Sequence, residues 1–344
     1  MKPETSHSPN QPSEPVIQGK AKVKRRVILI IRDGWGYRKD KEANMIANTP
    51  TPNTDRLMKE YPNTLLKCSG EAVGLPEGYQ GNSEVGHMAI GAGRIIFQSM
   101  ERINHSIKTG EFFKNPALLK AVENCKSHKT TLHIIGLIQV EGVHSHIDHL
   151  MALLDLCRMK GLKDVCVHAV TDGRDAPVTD SIKNVGAVVE KTRQLEFGRI
   201  ATLSGRYYTM DRDKRWERTK QAYDCIVSGA CKEEFTDPIR QLRKCHAAGE
   251  TDEFITPRKL KGYAGIKPKD SVIFFNFRTD RPRQLTQAIV EKDFDGWDRK
   301  PLGVVYVGMT QYYKPMNAEV AFEEQGLANL LGEVISRNGL KQLR

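Results

Sequence analysis

Asp164-Val165-Cys166-Val167-His168-Ala169-Val170 runs directly into Thr171-Asp172-Gly173-Arg174-Asp175. An apolar, β-branched run of this length reads as a buried strand, and the polar loop after it as the carboxyl-end position where open α/β sheets bind ligands. The pattern recurs along the chain. Val27–Ile31, Thr131–Leu137, Arg199–Leu203, Val272–Phe277 and Val304–Met309 have the composition of strands. Amphipathic helices are expected between them: Ile147, Leu150, Met151 and Leu154 share one face, as do Ala222, Cys225, Ile226 and Gly229. Alternation of this kind predicts the α/β class, with parallel strands covered by helices. Asp33, the Asp172–Asp175 loop, Arg206 and Arg278 each follow a strand, so four loops on the same sheet edge point at one or two sites.

A length of 344 residues allows about two domains. No apolar run approaches the roughly 20 residues that span a bilayer, which argues against a membrane partner. Residues 1–25 are rich in Pro, Ser, Glu and Lys and too poor in apolar side chains to fold, and read as a disordered tail. That start lacks the apolar stretch of a secretory signal, so a cytoplasmic location is expected. Seven cysteines without a CxxC pair fit reduced, mostly buried thiols better than a disulfide framework or a zinc site. The net charge of +11 suits nucleic acid or a small anionic substrate. Aromatic residues are sparse in the basic stretches and no recognition motif occurs, so the small anion is favoured over nucleic acid.

Several stretches carry possible chemistry. In Ile31-Arg32-Asp33-Gly34-Trp35-Gly36 a carboxylate follows a strand, placed to hold a metal; Asp-Gly alone also reads as a plain turn. Gly81-Asn82-Ser83-Glu84-Val85-Gly86-His87 opens a helix, where backbone N–H groups favour an anion. Ser83 needs a base or a metal to become a nucleophile, and Asn82 or Ser83 as a simple cap is the alternative. His144-Ser145-His146-Ile147-Asp148-His149 matches the HxHxDH pattern of metallo-β-lactamase-like zinc hydrolases. That reading needs further histidines downstream, and only His168 and His246 follow; His149 then reads as a helix-surface residue. Arg174, Arg206, Arg212, Arg278 and Arg281 have the planar fork that grips phosphates and carboxylates. No phosphate loop and no GxGxxG occurs, which argues against nucleotide-driven kinases and dinucleotide dehydrogenases.

Together these stretches, with Gly205-Arg206-Tyr207-Tyr208 and Phe275-Asn276-Phe277-Arg278-Thr279-Asp280-Arg281, resemble the cofactor-independent (2,3-bisphosphoglycerate-independent) phosphoglycerate mutases of the alkaline phosphatase superfamily. The resemblance runs from about Arg26 to the end. It implies an alkaline-phosphatase-like sheet domain, present in part, with an inserted α/β substrate-binding domain. Residues 26–99 would form the first part of the metal domain, 100–316 the phosphoglycerate-binding domain, and 317–344 the start of the return into the first. By the same resemblance, Asp33 and Ser83 ligate manganese and Ser83 accepts the phosphoryl group. His144, Arg174, Asp175, Arg206, Arg212, Arg278 and Arg281 hold the phosphoglycerate, and Asp175 with His144 handles the hydroxyl proton. The family uses two Mn2+ ions, most of whose ligands lie in a second half without a counterpart here. The chain therefore reads as an incomplete glycolytic isomerase, as one that pairs with a separate C-terminal half, or as a non-catalytic binding or regulatory fragment.

Overall fold

The computed structural model describes residues 26–343; the expected tail over 1–25 lies outside the described residues. The chain divides into two compact units, Met1–Leu65 and Leu66–Arg344. In the first, two helices form, α1 (Met45–Asn48) and α2 (Pro52–Glu60). Asn44 caps α1 by accepting from the N–H of Ala47, and Pro52 opens α2 where no intrahelical donor is needed.

The second unit contains α3 (Ser83–Ala92), α4 (Ser99–Thr109) and α5 (Pro116–His128) ahead of the first strand, β1 (Leu132–Leu137). Then follow α6 (Ile147–Lys160), β2 (Val165–Thr171), α7 (Ser181–Leu195) and β3 (Arg199–Gly205). A short α8 (Arg206–Thr209) and α9 (Trp216–Val227) lead to β4 (Glu233–Phe235), α10 (Pro238–Ala247) and β5 (Arg258–Leu260). The last elements are β6 (Ser271–Phe274), α11 (Arg283–Val290), β7 (Val305–Gly308), β8 (Glu319–Val320) and α12 (Leu331–Arg337).

The strands form one sheet in the order β4-β5-β3-β2-β1-β6-β7-β8. All pairings are parallel except β3 with β5, where Thr202 faces Lys259. From β1 the chain moves outward through β2 and β3, then returns to the other side of β1 for β6. The order reverses between β1 and β6, and at such a switch point the loops leaving the carboxyl ends diverge and open a crevice.

Side chains alternate across this sheet. Leu132, Ile134 and Ile273 pack with Leu118, Leu150, Val185 and Leu242 from α5, α6, α7 and α10. Ile135, Val272 and Phe274 pack on the opposite face with Tyr223 and Ile226 of α9 and Leu285 and Ala288 of α11. Strands covered on both faces are mainly apolar, as β1 and β2 are apart from the buried His133, His168 and Thr171. Each fully buried leucine such as Leu118 stabilises the fold by about 2 kcal/mol relative to exposure.

The α/β class holds, and five expected strands appear as β1, β2, β3, β6 and β7. Val27–Ile31 is a correction: it is not a strand, and its side chains are 43–89% exposed. A strand exists only with a hydrogen-bonded neighbour, and none pairs with this run among the described residues. Gly229 is also not part of the α9 face, because the helix ends at Val227 and Gly229 turns with φ of +60°.

Candidate anion-binding site at the sheet switch point

Three strand-end loops and the turn after β3 deliver the site. Behind β1, the His144 N–H donates to Gln139 Oε1 at 3.1 Å. The His144 carbonyl accepts from Phe277 N at 2.9 Å, which ties this loop to the one after β6. Behind β2, Asp172 Oδ1 accepts from the N–H groups of Arg174 (3.2 Å) and Asp175 (3.1 Å), folding the Asp-Gly-Arg-Asp loop around one carboxylate. Gly173 has φ of +67°, and a Cβ there would lie 2.6 Å from Glu253 N, so this turn requires glycine. Behind β3, Arg206 begins α8 and is 2% exposed.

Arg206 is the hub. Its Nη1 donates to Asp172 Oδ1 and Asp175 Oδ2, both at 2.6 Å, and its Nη2 lies 3.1 Å from His144 Nε2. A guanidinium only donates, so His144 Nε2 accepts and the ring proton sits on Nδ1. That Nδ1 faces Asp280 Oδ1 at 3.8 Å, beyond hydrogen-bond reach. Asp280 Oδ2 accepts from Arg212 Nη1 at 2.7 Å, and Arg278 Nε lies 3.7 Å from Asp280 Oδ1. Arg281 donates to the Met210 carbonyl at 2.9 Å, and Arg174 lies 3.5 Å from Glu253.

The charges act on each other. Burial and then the Arg206 cation push the His144 imidazole down to about 4, so it is neutral at pH 7. Burial would raise the Asp175 carboxyl, but the hydrogen bond and charge of Arg206 outweigh it and hold the group below its ordinary value. Asp280 is likewise held low, burial being outweighed by Arg212 and His144. Arg281 is lowered by burial and by repulsion from Arg206, Arg212 and Arg174. A small cleft of about 100 Å³ opens among Arg174, Arg206, Arg212, Arg218 and Arg281. At the cluster, four buried polar atoms have no hydrogen-bond partner among the described residues: His144 Nδ1, Asp280 Oδ1, Arg206 Nε and Arg281 Nε. Buried donors left this way cost about 1–3 kcal/mol each, and an anion with a hydroxyl supplies what they lack.

His144, Arg174, Asp175, Arg206, Arg212, Arg278 and Arg281 thus gather at one sheet edge. Asp33 belongs to the first unit and Ser83 to α3 of the second. Asp33 is exposed in the first unit, in a turn closed by Trp35 N and Arg32 O at 3.1 Å. Ser83 is the first residue of α3, and Asn82 is the cap, its Oδ1 accepting from Val85 N at 3.1 Å. His87 Nδ1 lies 2.8 Å from the Ser83 carbonyl and 3.2 Å from Ser83 Oγ. The carbonyl only accepts, so Nδ1 carries the ring proton and His87 is not the base for this hydroxyl.

The HxHxDH histidines do not converge, which corrects the zinc-hydrolase alternative. His144 belongs to the arginine cluster, and His146 caps α6 by accepting from Asp148 N at 3.2 Å. His149 is fully buried, not on the helix surface as expected. It bonds Asn104 at 2.9 Å, packs edge-on to Phe277, and burial pushes it down to about 3. Among the described residues no group of three or more His, Cys, Asp or Glu side chains is placed to hold a metal ion. The described residues therefore do not fit a two-ion manganese centre.

Sequence reasoning missed Asp172, Asp280 and Gln139. Asp172 opens the Asp-Gly-Arg-Asp loop and Asp280 sits between Arg278 and Arg281, so spacing was a signal for both; Gln139 carried none.

The family model described as BPG-independent PGAM N-terminus matches residues 103–314. The chain belongs to the BPG-independent phosphoglycerate mutase family. The 2,3-bisphosphoglycerate-independent phosphoglycerate mutase 1 of Methanosarcina acetivorans is 49% identical over 330 residues, covering 94% of this chain and 64% of the relative. The phosphoglycerate mutase of Clostridium botulinum (strain Langeland) is 48% identical, covering 93% and 64%. Among solved structures, Leishmania mexicana phosphoglycerate mutase, crystallised at low cobalt concentration, superposes with a TM-score of 0.67 at 28% identity, over 84% of this chain and 56% of that one. The chain thus spans a little under two thirds of the length of these curated mutases. No helix among the described residues is long and apolar enough to cross a membrane.

Proposed function

We propose that this chain binds 2- or 3-phosphoglycerate in the Arg206 cluster, as the substrate-binding part of a mutase that interconverts the two in glycolysis. The observation that carries the reading is the set of four buried, unpartnered polar atoms beside a cleft lined by six arginines. The arginines grip phosphate and carboxylate through paired N–H groups and fix the orientation of the three-carbon acid. His144 Nδ1–H donates to a substrate hydroxyl, and Asp280 or Asp175, both ionised, accept from it. The low basicity of these carboxylates makes them orienting groups first and proton acceptors only for a hydroxyl whose oxygen is gaining a phosphoryl bond.

On the same reading residues 100–316 are the phosphoglycerate-binding domain. Residues 26–99 and 317–344 belong to the domain carrying Asp33 and the phosphoryl-accepting Ser83, with metal ions as its cofactors. Because the described residues do not fit the metal centre, the 1–344 polypeptide is expected to bind without turning over. Calorimetric titration of 1–344 with 3-phosphoglycerate should show one site, with glycerate binding weakly. Manganese-supplemented mutase assays should show no turnover. No binding sinks the site assignment, and measurable turnover by 1–344 alone sinks the incompleteness.

A further inference from the structure

Away from the arginine cluster, α9 ends in a tight reversal. Ser228 N and Ala230 N both donate to the Asp224 carbonyl, at 3.1 and 2.9 Å. Gly229 takes φ of +60°, and a Cβ there would lie 2.9 Å from Gly265 N, so the loop is clamped against the 263–265 backbone. This reversal lays Cys231 over Cys225, with Sγ atoms 2.8 Å apart. Cys225 is buried and Cys231 half-buried. Lys259 Nζ donates to the Gly229 carbonyl at 2.7 Å, placing a cation beside the pair. The hydrogen bond from Cys225 and the Lys259 charge, working against burial, hold the Cys231 thiol below its ordinary value. Cys225 is pushed the other way by the same bond and by burial.

We propose that Cys225 and Cys231 are a modification site that closes to an intrachain disulfide on exposure to a peroxide. The accessible Cys231 thiolate attacks one peroxide oxygen; the O–O bond breaks, hydroxide leaves and takes up the proton the thiol had released, and Cys231 becomes a sulfenic acid. The Cys225 sulfur then attacks Cys231 Sγ; the S–O bond breaks and hydroxide leaves, taking the Cys225 proton as water. The sum is two thiols and one peroxide giving one disulfide and two waters. Closing the pair needs the sulfurs to move to about 2.05 Å, which the clamped loop favours because the backbone already holds both residues facing. The bond would tie the end of α9 to the approach of β4, the outermost strand of the sheet.

Lys220 and Lys232 bracket both cysteines with no Lys or Arg between them, so trypsin releases them on one peptide, Gln221–Lys232. Chain 1–344 is treated with hydrogen peroxide until the exposed Cys68 has reacted, then denatured, alkylated and digested. The expected result is that Gln221–Lys232 loses two hydrogens and takes up no alkyl group, and that dithiothreitol restores both sites. In Cys231→Ala, Cys225 should remain alkylatable under the same peroxide. Two alkylatable thiols on that peptide once Cys68 is oxidised overturn the proposal. So does a sulfinic acid on Cys231 with Cys225 unreacted, or oxidation of Cys225 in Cys231→Ala.

Discussion

Arg206 Nη1 lies 2.6 Å from Asp172 Oδ1, and the two side chains are only 2% and 3% exposed. Removing one partner strands the other charge in a dry site. Arg206→Met should therefore destabilise the protein by about 3–5 kcal/mol, read as a lower urea midpoint. Arg206→Lys keeps a charge but cannot reach Asp172, Asp175 and His144 together, and should recover only part of that loss. A midpoint unchanged in Arg206→Met would mean the pair does not hold these loops.

Acid should weaken the fold before the ordinary carboxylates titrate. His144 and His149 are pushed to about 4 and about 3, so both stay neutral in the folded state while the unfolded chain takes up protons below about 6.5. Stability then falls as pH drops from about 6.5 towards 4, by on the order of 3 kcal/mol for His144 alone. Asp175 and Asp280, both held low, contribute stability above the ordinary carboxylate range that is lost only in more acid solution. Urea midpoints at pH 7, 5.5 and 4.5 test this, and a flat series rules it out.

Arg281 sits among cations that repel it. Arg281→Ala should lower affinity for 3-phosphoglycerate by about tenfold or more, the loss of one charge-assisted contact. Stability without ligand should change by less than about 1 kcal/mol, because the repulsion leaves with the side chain. Titration calorimetry and urea unfolding on the same variant separate the two effects.

The serine-bearing turn makes a contrast between two glycines. A Cβ at Gly81 would lie 1.8 Å from the Cys68 carbonyl oxygen, whereas one at Gly86 inside α3 meets nothing within 4 Å. Gly81→Ala should cost about 1–3 kcal/mol through a forced backbone shift. Gly86→Ala should stabilise by up to about 1 kcal/mol through helix propensity. Thermal unfolding of both variants decides, and equal shifts would contradict the packing around Ser83.

What was legible in the sequence followed from length. β1, β2 and β3 have six or seven residues, buried on two faces and carrying enough apolar side chains to leave a clear mark. β4, β5 and β8 have two or three residues, including Glu233, Arg258, Lys259 and Glu319, and only tertiary pairing makes them strands. Val27–Ile31 shows the reverse, since local composition cannot report whether a neighbour exists to complete a ladder. At the site, the arginines stood out because their fork suits anions. Asp280 did not, because an acid between arginines also reads as ordinary surface pairing, and Asp172 did not, because Asp-Gly also reads as a plain turn. His149 was misplaced because the buried face was read as Ile147, Leu150, Met151 and Leu154, whereas α6 also buries Leu153, which shares a face with His149.

The mutual repulsion of Arg174, Arg206, Arg212 and Arg281 also bears on how the protein is handled at the bench. Like charges crowded into a cleft bind counter-ions in proportion to valence, and this weakens as ionic strength rises. Sulfate or phosphate in a storage buffer would then act as a competitive occupant, while chloride would act mainly by screening. Apparent affinities measured in different buffers should diverge for that reason alone, most sharply at low salt.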